Sequence, residues 1–169
     1  MKPKILITRP LPERVLEKVC AAFDVTLRSS TLPMSDKELV ASLRDYDGVL
    51  PTLGDVYDQA IFALVPKPRA QILANFGVGY NHINVAAAKE VGISVSNTPG
   101  AVTDSTADIA MNLILSTARR TAEGERMLRA GDWKGWHPTQ MLGHPVTGAS
   151  VGIIGMGRIG KAIARRCHL

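Results

Sequence analysis

Apolar residues follow two alternating patterns through the first hundred positions: short aliphatic runs, then stretches with apolar positions three and four apart. Lys4-Ile5-Leu6-Ile7-Thr8 is the first run and reads as a buried strand. Val15, Leu16, Val19 and Phe23 then recur at helical spacing, and Pro12 is placed to be the first residue of that helix. Val25-Thr26-Leu27 predicts a second strand. Leu39, Val40 and Leu43 share a helix that Ser35 and Glu38 open as a capping box. Asp47-Gly48 predicts a turn, and Val49-Leu50 a third strand. Asp58 is placed to cap a helix carrying Ile61, Phe62 and Val65, which Pro66 ends. Residues 71–76 predict a fourth strand. Asn84 caps a helix over 85–91 that Gly92 closes, and Ile93-Ser94-Val95 predicts a fifth strand. Such alternation predicts an α/β fold, a doubly wound parallel sheet with helices on both faces. The flavodoxin-like order 2-1-3-4-5 suits its size. Ligands of these sheets bind beyond the carboxyl ends of the strands. Leu53-Gly54 and Gly77-Val78-Gly79 stand at two such ends.

Asn97-Thr98-Pro99-Gly100 interrupts the alternation, which predicts one domain over 1–99 and the start of another over 100–169. Residues 103 to about 130 read as one long helix, with Ile109, Leu113, Leu115 and Met127 as apolar contacts. Ala107, Ala110 and Ala118 allow close packing, and Gly131 is placed to stop the helix. Thr103, Asp104, Ser105, Thr106 and Asp108 crowd its start. Capping accounts for one or two of them, and a ligand contact is open to another. A loop rich in Gly, Pro and His follows, in which Trp133 and Trp136 are either anchors to a core or interface residues.

Val151-Gly152-Ile153-Ile154 then predicts a buried strand running into Gly155-Met156-Gly157-Arg158-Ile159-Gly160, the spacing G-x-G-x-x-G. Helix formers follow from Lys161. Strand, glycine turn and helix together form the context of a Rossmann dinucleotide site. Gly155 permits the tight turn, Gly157 leaves the backbone open to a pyrophosphate, and Gly160 allows helix and strand to approach. The helix N-terminus then faces the phosphates. The acidic or basic residue that reads the ribose is expected about 20 residues further on, past Leu169.

Composition narrows the classes. The net charge of +5 is spread among acidic neighbours without an aromatic ladder, so it reads as solvated helix faces and not as a nucleic-acid surface. Cys20 and Cys167 lie far apart and suggest neither a disulfide framework nor a metal site. No run is long and apolar enough to span a bilayer, and Ile5-Leu6-Ile7 is too short for the core of a signal peptide. The expectation is a soluble cytoplasmic protein. Successive N–H groups at Gly77-Val78-Gly79 are suited to holding an anion. A plain turn that uses glycine for positive φ is the stronger reading of those three residues alone. His82, His137, His144 and His168 show no metal-ligand spacing and read as surface or loop residues.

Four segments in this order resemble the D-isomer-specific 2-hydroxyacid dehydrogenases, and among them the glyoxylate/hydroxypyruvate reductases. They are Asn75-Phe76-Gly77-Val78-Gly79-Tyr80-Asn81-His82-Ile83, Asn97-Thr98-Pro99-Gly100, Thr106-Ala107-Asp108, and the run from Val151 to Gly160. The resemblance covers essentially the whole chain, as the N-terminal half of such an enzyme. It implies hydride transfer between NAD or NADP and a small 2-oxo acid, such as glyoxylate or hydroxypyruvate. Val78 and Gly79 would bind the substrate carboxylate, with Leu53 beside them at its own strand end. Thr106 would lie near the nicotinamide, and Gly155, Gly157, Arg158, Ile159 and Gly160 would hold the cofactor. A homodimer would form through Thr103 to Trp136. The family's catalytic arginine, glutamate and histidine lie downstream of the glycine motif, so none is assigned here, and the 169-residue chain alone is expected to be inactive. Two rival readings are a dinucleotide-sensing corepressor of the same fold and an inactive truncated product.

Overall fold

A computed structural model describes residues 1–168. It contains two compact units, Met1–Ala101 and a second beginning at Val102.

The first unit alternates strand and helix as β1 (Lys4–Ile7), α1 (Glu13–Ala22), β2 (Asp24–Leu27), α2 (Asp36–Asp45), β3 (Gly48–Leu50), α3 (Gln59–Ala63), β4 (Ile72–Ala74), α4 (Val85–Glu90) and β5 (Ser94–Ser96). The strands pair in the order β2-β1-β3-β4-β5, and each pairing is parallel. This is the doubly wound order expected from the sequence. Leu6 of β1 lies opposite both Thr26 and Val49, and Leu73 of β4 opposite Val49 and Val95. Leu43, Phe62 and Leu73 are buried to 1 % exposure or less and form the centre of the core between sheet and helices.

Local chemistry starts three of these helices. Ser35 and Glu38 form the full capping box of α2. Asp58 accepts from Ile61 N at 2.9 Å, and Asn84 from Ala87 N at 3.0 Å. Each bond satisfies an N–H that has no partner inside its helix. Pro12 stands one place outside α1, as its cap. Gly92 ends the α4 segment at φ +83°, where other residues are strained.

The second unit holds α5 (Thr103–Ala118), α6 (Thr121–Arg129) and α7 (Arg158–His168). The single long helix expected from residue 103 to about 130 is broken between α5 and α6. Ala118 O accepts from His144 N at 2.8 Å, so a later loop captures a carbonyl at the end of α5. Arg120 then adopts a left-handed φ of 56°, and its guanidinium bonds Leu142 O and the Glu123 carboxylate. The expected side-chain cap at the start of α5 is also absent, since Val102 occupies the cap position. Asp104 and Asp108 face Arg166 of α7 instead, at 3.1 and 2.7 Å. Ala107 and Ala162 are fully buried, as close packing of α5 on α7 requires.

Residues 151–154 are not a strand. They have no ladder partner among the described residues, and Ile154 is fully exposed. A β-branched run becomes a strand only by pairing.

Candidate functional sites

The loop after β4 is built by side-chain amides. Asn75 is 2 % exposed. Its Nδ2 donates to Gly77 O at 3.2 Å and to Gly79 O at 2.9 Å. Asn97 Nδ2 donates to Val78 O at 2.9 Å, and Thr98 N to Gly77 O at 3.0 Å. Three successive carbonyls are thereby engaged. The N–H groups of Val78, Gly79 and Tyr80 have no protein acceptor among the described residues. Gly77 and Gly79 do not adopt positive φ, so the turn explanation for these glycines does not hold. A Cβ added at Gly79 would meet nothing within 4 Å. Neither backbone geometry nor packing demands glycine there; what its absent side chain leaves is an approachable N–H.

Leu53 stands on the neighbouring turn, 67 % exposed, ahead of Gly54 at φ +100°. The turn is fixed from beneath by Asp55, whose carboxylate is wholly buried. It accepts from Thr8 Oγ1 at 2.7 Å, Met34 N at 3.0 Å, Thr52 N at 3.2 Å, and both terminal nitrogens of Arg9. A short bridge between Thr52 and Phe76 aligns this turn with the loop after β4. His82 Nε2 meets Asn75 Oδ1 at 3.0 Å. Partial burial lowers the His82 pKa, and the charge of Asp55 opposes that shift.

In the second unit the glycine motif forms a turn into α7. Gly155 has φ +94°. A Cβ at Gly160 would collide with Gly155 O, whereas one at Gly157 would meet nothing within 4 Å. The three glycines therefore differ as a dinucleotide turn requires: one for the bend, one open to a ligand, one for close approach. Arg158 is exposed and Ile159 half-buried in the first turn of α7, and Thr106 is exposed on α5. The residues present fit a pyrophosphate.

Residues 5–160 match the profile of the D-isomer specific 2-hydroxyacid dehydrogenase catalytic domain. The chain belongs to this family. It is 44 % identical over 167 residues to a glyoxylate reductase of Korarchaeum cryptofilum, covering 98 % of this chain and 50 % of that protein. It is 36 % identical over 167 residues to a glycerate dehydrogenase of Hyphomicrobium methylovorum, covering 99 % and 52 %. Among solved structures, an NADPH-dependent glyoxylate/hydroxypyruvate reductase from Sinorhizobium meliloti in complex with NADP and malonate aligns with TM-score 0.77 at 34 % identity, over 99 % of this chain and 50 % of that one. A protein from Polaromonas described as a putative NAD-binding member of the same family aligns with TM-score 0.88 at 34 % identity, over 99 % and 52 %. The chain spans about half the length of the curated relatives it matches.

Two further features of the chain bear on function. Met127, Leu128, Trp133, Trp136 and Met141 line an apolar groove of about 410 Å³ in the second unit. Trp136 is 79 % exposed, so it is no anchor to a core. Gln140, oriented to satisfy both ends of its amide, accepts from Trp133 Nε1 at 3.2 Å and donates to Gly135 O at 2.9 Å. Sequence reasoning named Asn75, Asn97 and His82 only within the resembling segments, with His82 as a surface or loop residue, and missed their loop-building roles and the Arg9–Asp55 pair. A polar residue closing the apolar run Ile72-Leu73-Ala74 was the available signal for Asn75. Among the described residues, no cluster of His, Cys, Asp and Glu could hold a metal ion, and no helix is long and apolar enough to cross a membrane.

Proposed function

We propose that the chain is the N-terminal half of an NAD- or NADP-dependent oxidoreductase acting on a small 2-oxo acid such as glyoxylate or hydroxypyruvate. The observation that carries this is the loop of residues 77–80: the Gly77, Val78 and Gly79 carbonyls are hydrogen-bonded, and the Val78, Gly79 and Tyr80 N–H groups have no protein acceptor among the described residues. Such a loop suits a carboxylate, and charge-assisted bonds of this kind contribute about 1.5–3 kcal/mol each. Val78 and Gly79 bind the carboxylate, and the exposed Leu53 side chain supplies an apolar wall for a short substrate. Residues 1–99 serve as the substrate domain, and residues 100–169 begin the nucleotide domain.

Gly155, Gly157, Arg158, Ile159 and Gly160 form the cofactor turn. The free N–H groups at the start of α7 would hold the pyrophosphate, and the Arg158 guanidinium would add positive charge. Thr106 supplies a hydroxyl on the nicotinamide side. A dinucleotide held there would supply the hydride chemistry. The names of the relatives support the substrate class, and the NADP-bound neighbour supports a nicotinamide dinucleotide. The apolar groove with Trp133 and Trp136 supports a homodimer through residues 103–136. Exposed, unpaired Cys20 and Cys167 suit the reducing cytoplasm.

Steady-state kinetics of the complete enzyme carrying Gly79→Pro test the reading. Proline removes one N–H and fixes φ. The KM for hydroxypyruvate should rise about 10- to 100-fold, the equivalent of one charge-assisted bond. An unchanged KM rejects the carboxylate role of this loop.

A further inference from the structure

We propose that Asn75 is the positioning residue of the carboxylate loop, and that His82 holds Asn75 in its working orientation. The assignment rests on the carboxylate reading above. A trans peptide unit sets its C=O and N–H antiparallel. Holding the carbonyls of Gly77, Val78 and Gly79 therefore aims the N–H groups of Val78, Gly79 and Tyr80 the opposite way. Asn75 holds the first and third of these carbonyls with one side chain, and Asn97 holds the second.

The network fixes its own hydrogens. Only the NH2 end of Asn75 can serve two carbonyls, so Oδ1 faces His82. An oxygen there demands a donor, so His82 carries hydrogen on Nε2. Three of the four hydrogen-bonding positions of this buried amide are then used: both donors to the loop and one oxygen lone pair toward His82. Losing the His82 donor leaves the buried Oδ1 without its partner and weakens the preference for the orientation that the two loop bonds need. An amide that turns over brings oxygen against the Gly77 and Gly79 carbonyl oxygens, which releases those two peptides.

The test uses the isotopically labelled 169-residue chain and oxamate, a carboxylate probe, followed through the backbone amide signals. In the unaltered chain, oxamate should shift the Val78 and Gly79 signals. Asn75→Leu, close in volume and uncharged, should weaken that binding at least fivefold while signals of β1 and α2 stay in place. His82→Leu should weaken it severalfold, and His82→Gln, which still offers an N–H to Asn75, should recover most of the loss. Equal oxamate affinity in the unaltered chain and these variants overturns the positioning role and leaves the carboxylate reading standing. Loop amides that ignore oxamate in the unaltered chain overturn both. Should Asn75→Leu fail to fold, the two His82 variants decide: equal affinity in both overturns the role, and recovery only with Gln supports it.

Discussion

Asp55 shows what a single residue does in the first unit. Its buried carboxylate gathers the two residues after β1, the segment before α2 and the Leu53 turn through five bonds. Removing one partner of a buried ion pair leaves the other charge uncompensated, at a cost of about 3–5 kcal/mol. Asp55→Ala should lose stability of that order in urea denaturation, with Arg9 left unpaired; a loss below about 1 kcal/mol would contradict it. The sequence does not announce this residue. Its partners Thr8, Arg9 and Met34 lie 47, 46 and 21 positions away, and nothing in a string links them. The role of Asn75 was not readable for a similar reason: it depends on carbonyl positions that only the folded loop defines. Gly155, Gly157 and Gly160 were legible, because their distinct tasks are encoded by spacing within six residues.

At the scale of elements, α2 carries a pH-dependent start. A hydrogen bond from Arg28 lowers the Glu38 pKa from 4.5 to about 2, with further bonds from the Ser35 N–H and hydroxyl. A depressed carboxylate pKa stabilises the fold above the unfolded value and stops doing so as pH falls through the folded one. The stability difference between the natural chain and Glu38→Gln should therefore shrink as pH falls from 4.5 toward 2. A difference constant over that window would assign the effect to packing. Ser35→Ala should cost about 1 kcal/mol by thermal denaturation at neutral pH. Caps such as Ser35, Asp58 and Asn84 were readable because donor and acceptor lie three residues apart. The break between α5 and α6 was not, because the competing donor, His144 N, arrives from a distant loop. Residues 151–154 have strand composition, but pairing is a property of neighbours and no sequence window contains them.

For the whole molecule, two expectations follow from its surface and its sheet. Leu113, Leu128 and Trp136 are 58, 62 and 79 % exposed in one unit, more apolar surface than isolated helices need in water. The complete enzyme should sediment as a two-fold dimer at micromolar concentration, the commonest closed arrangement. A monomer there would refute the interface. The 169-residue chain should bind NADH or NADPH weakly and should not reduce hydroxypyruvate. Among the described residues no paired strand adjoins its glycine turn, and ordering backbone costs about 1–2 kcal/mol per residue. Micromolar binding in a fluorescence titration would show that the turn is already rigid. The sheet order itself was legible, because alternating strand and helix with short connections admits few parallel arrangements.

That order, β2-β1-β3-β4-β5, has a consequence for how the protein is born. β1 and β2 can pair as soon as both have left the ribosome. β3 then covers the other side of β1, β4 covers β3, and β5 covers β4, so every later strand docks on an edge already waiting for it. No early strand must wait for a distant late one. At about 5–20 residues per second, successive edges stand open for only seconds during synthesis. The first unit can thus assemble vectorially, and its template at each moment is the piece of sheet made just before.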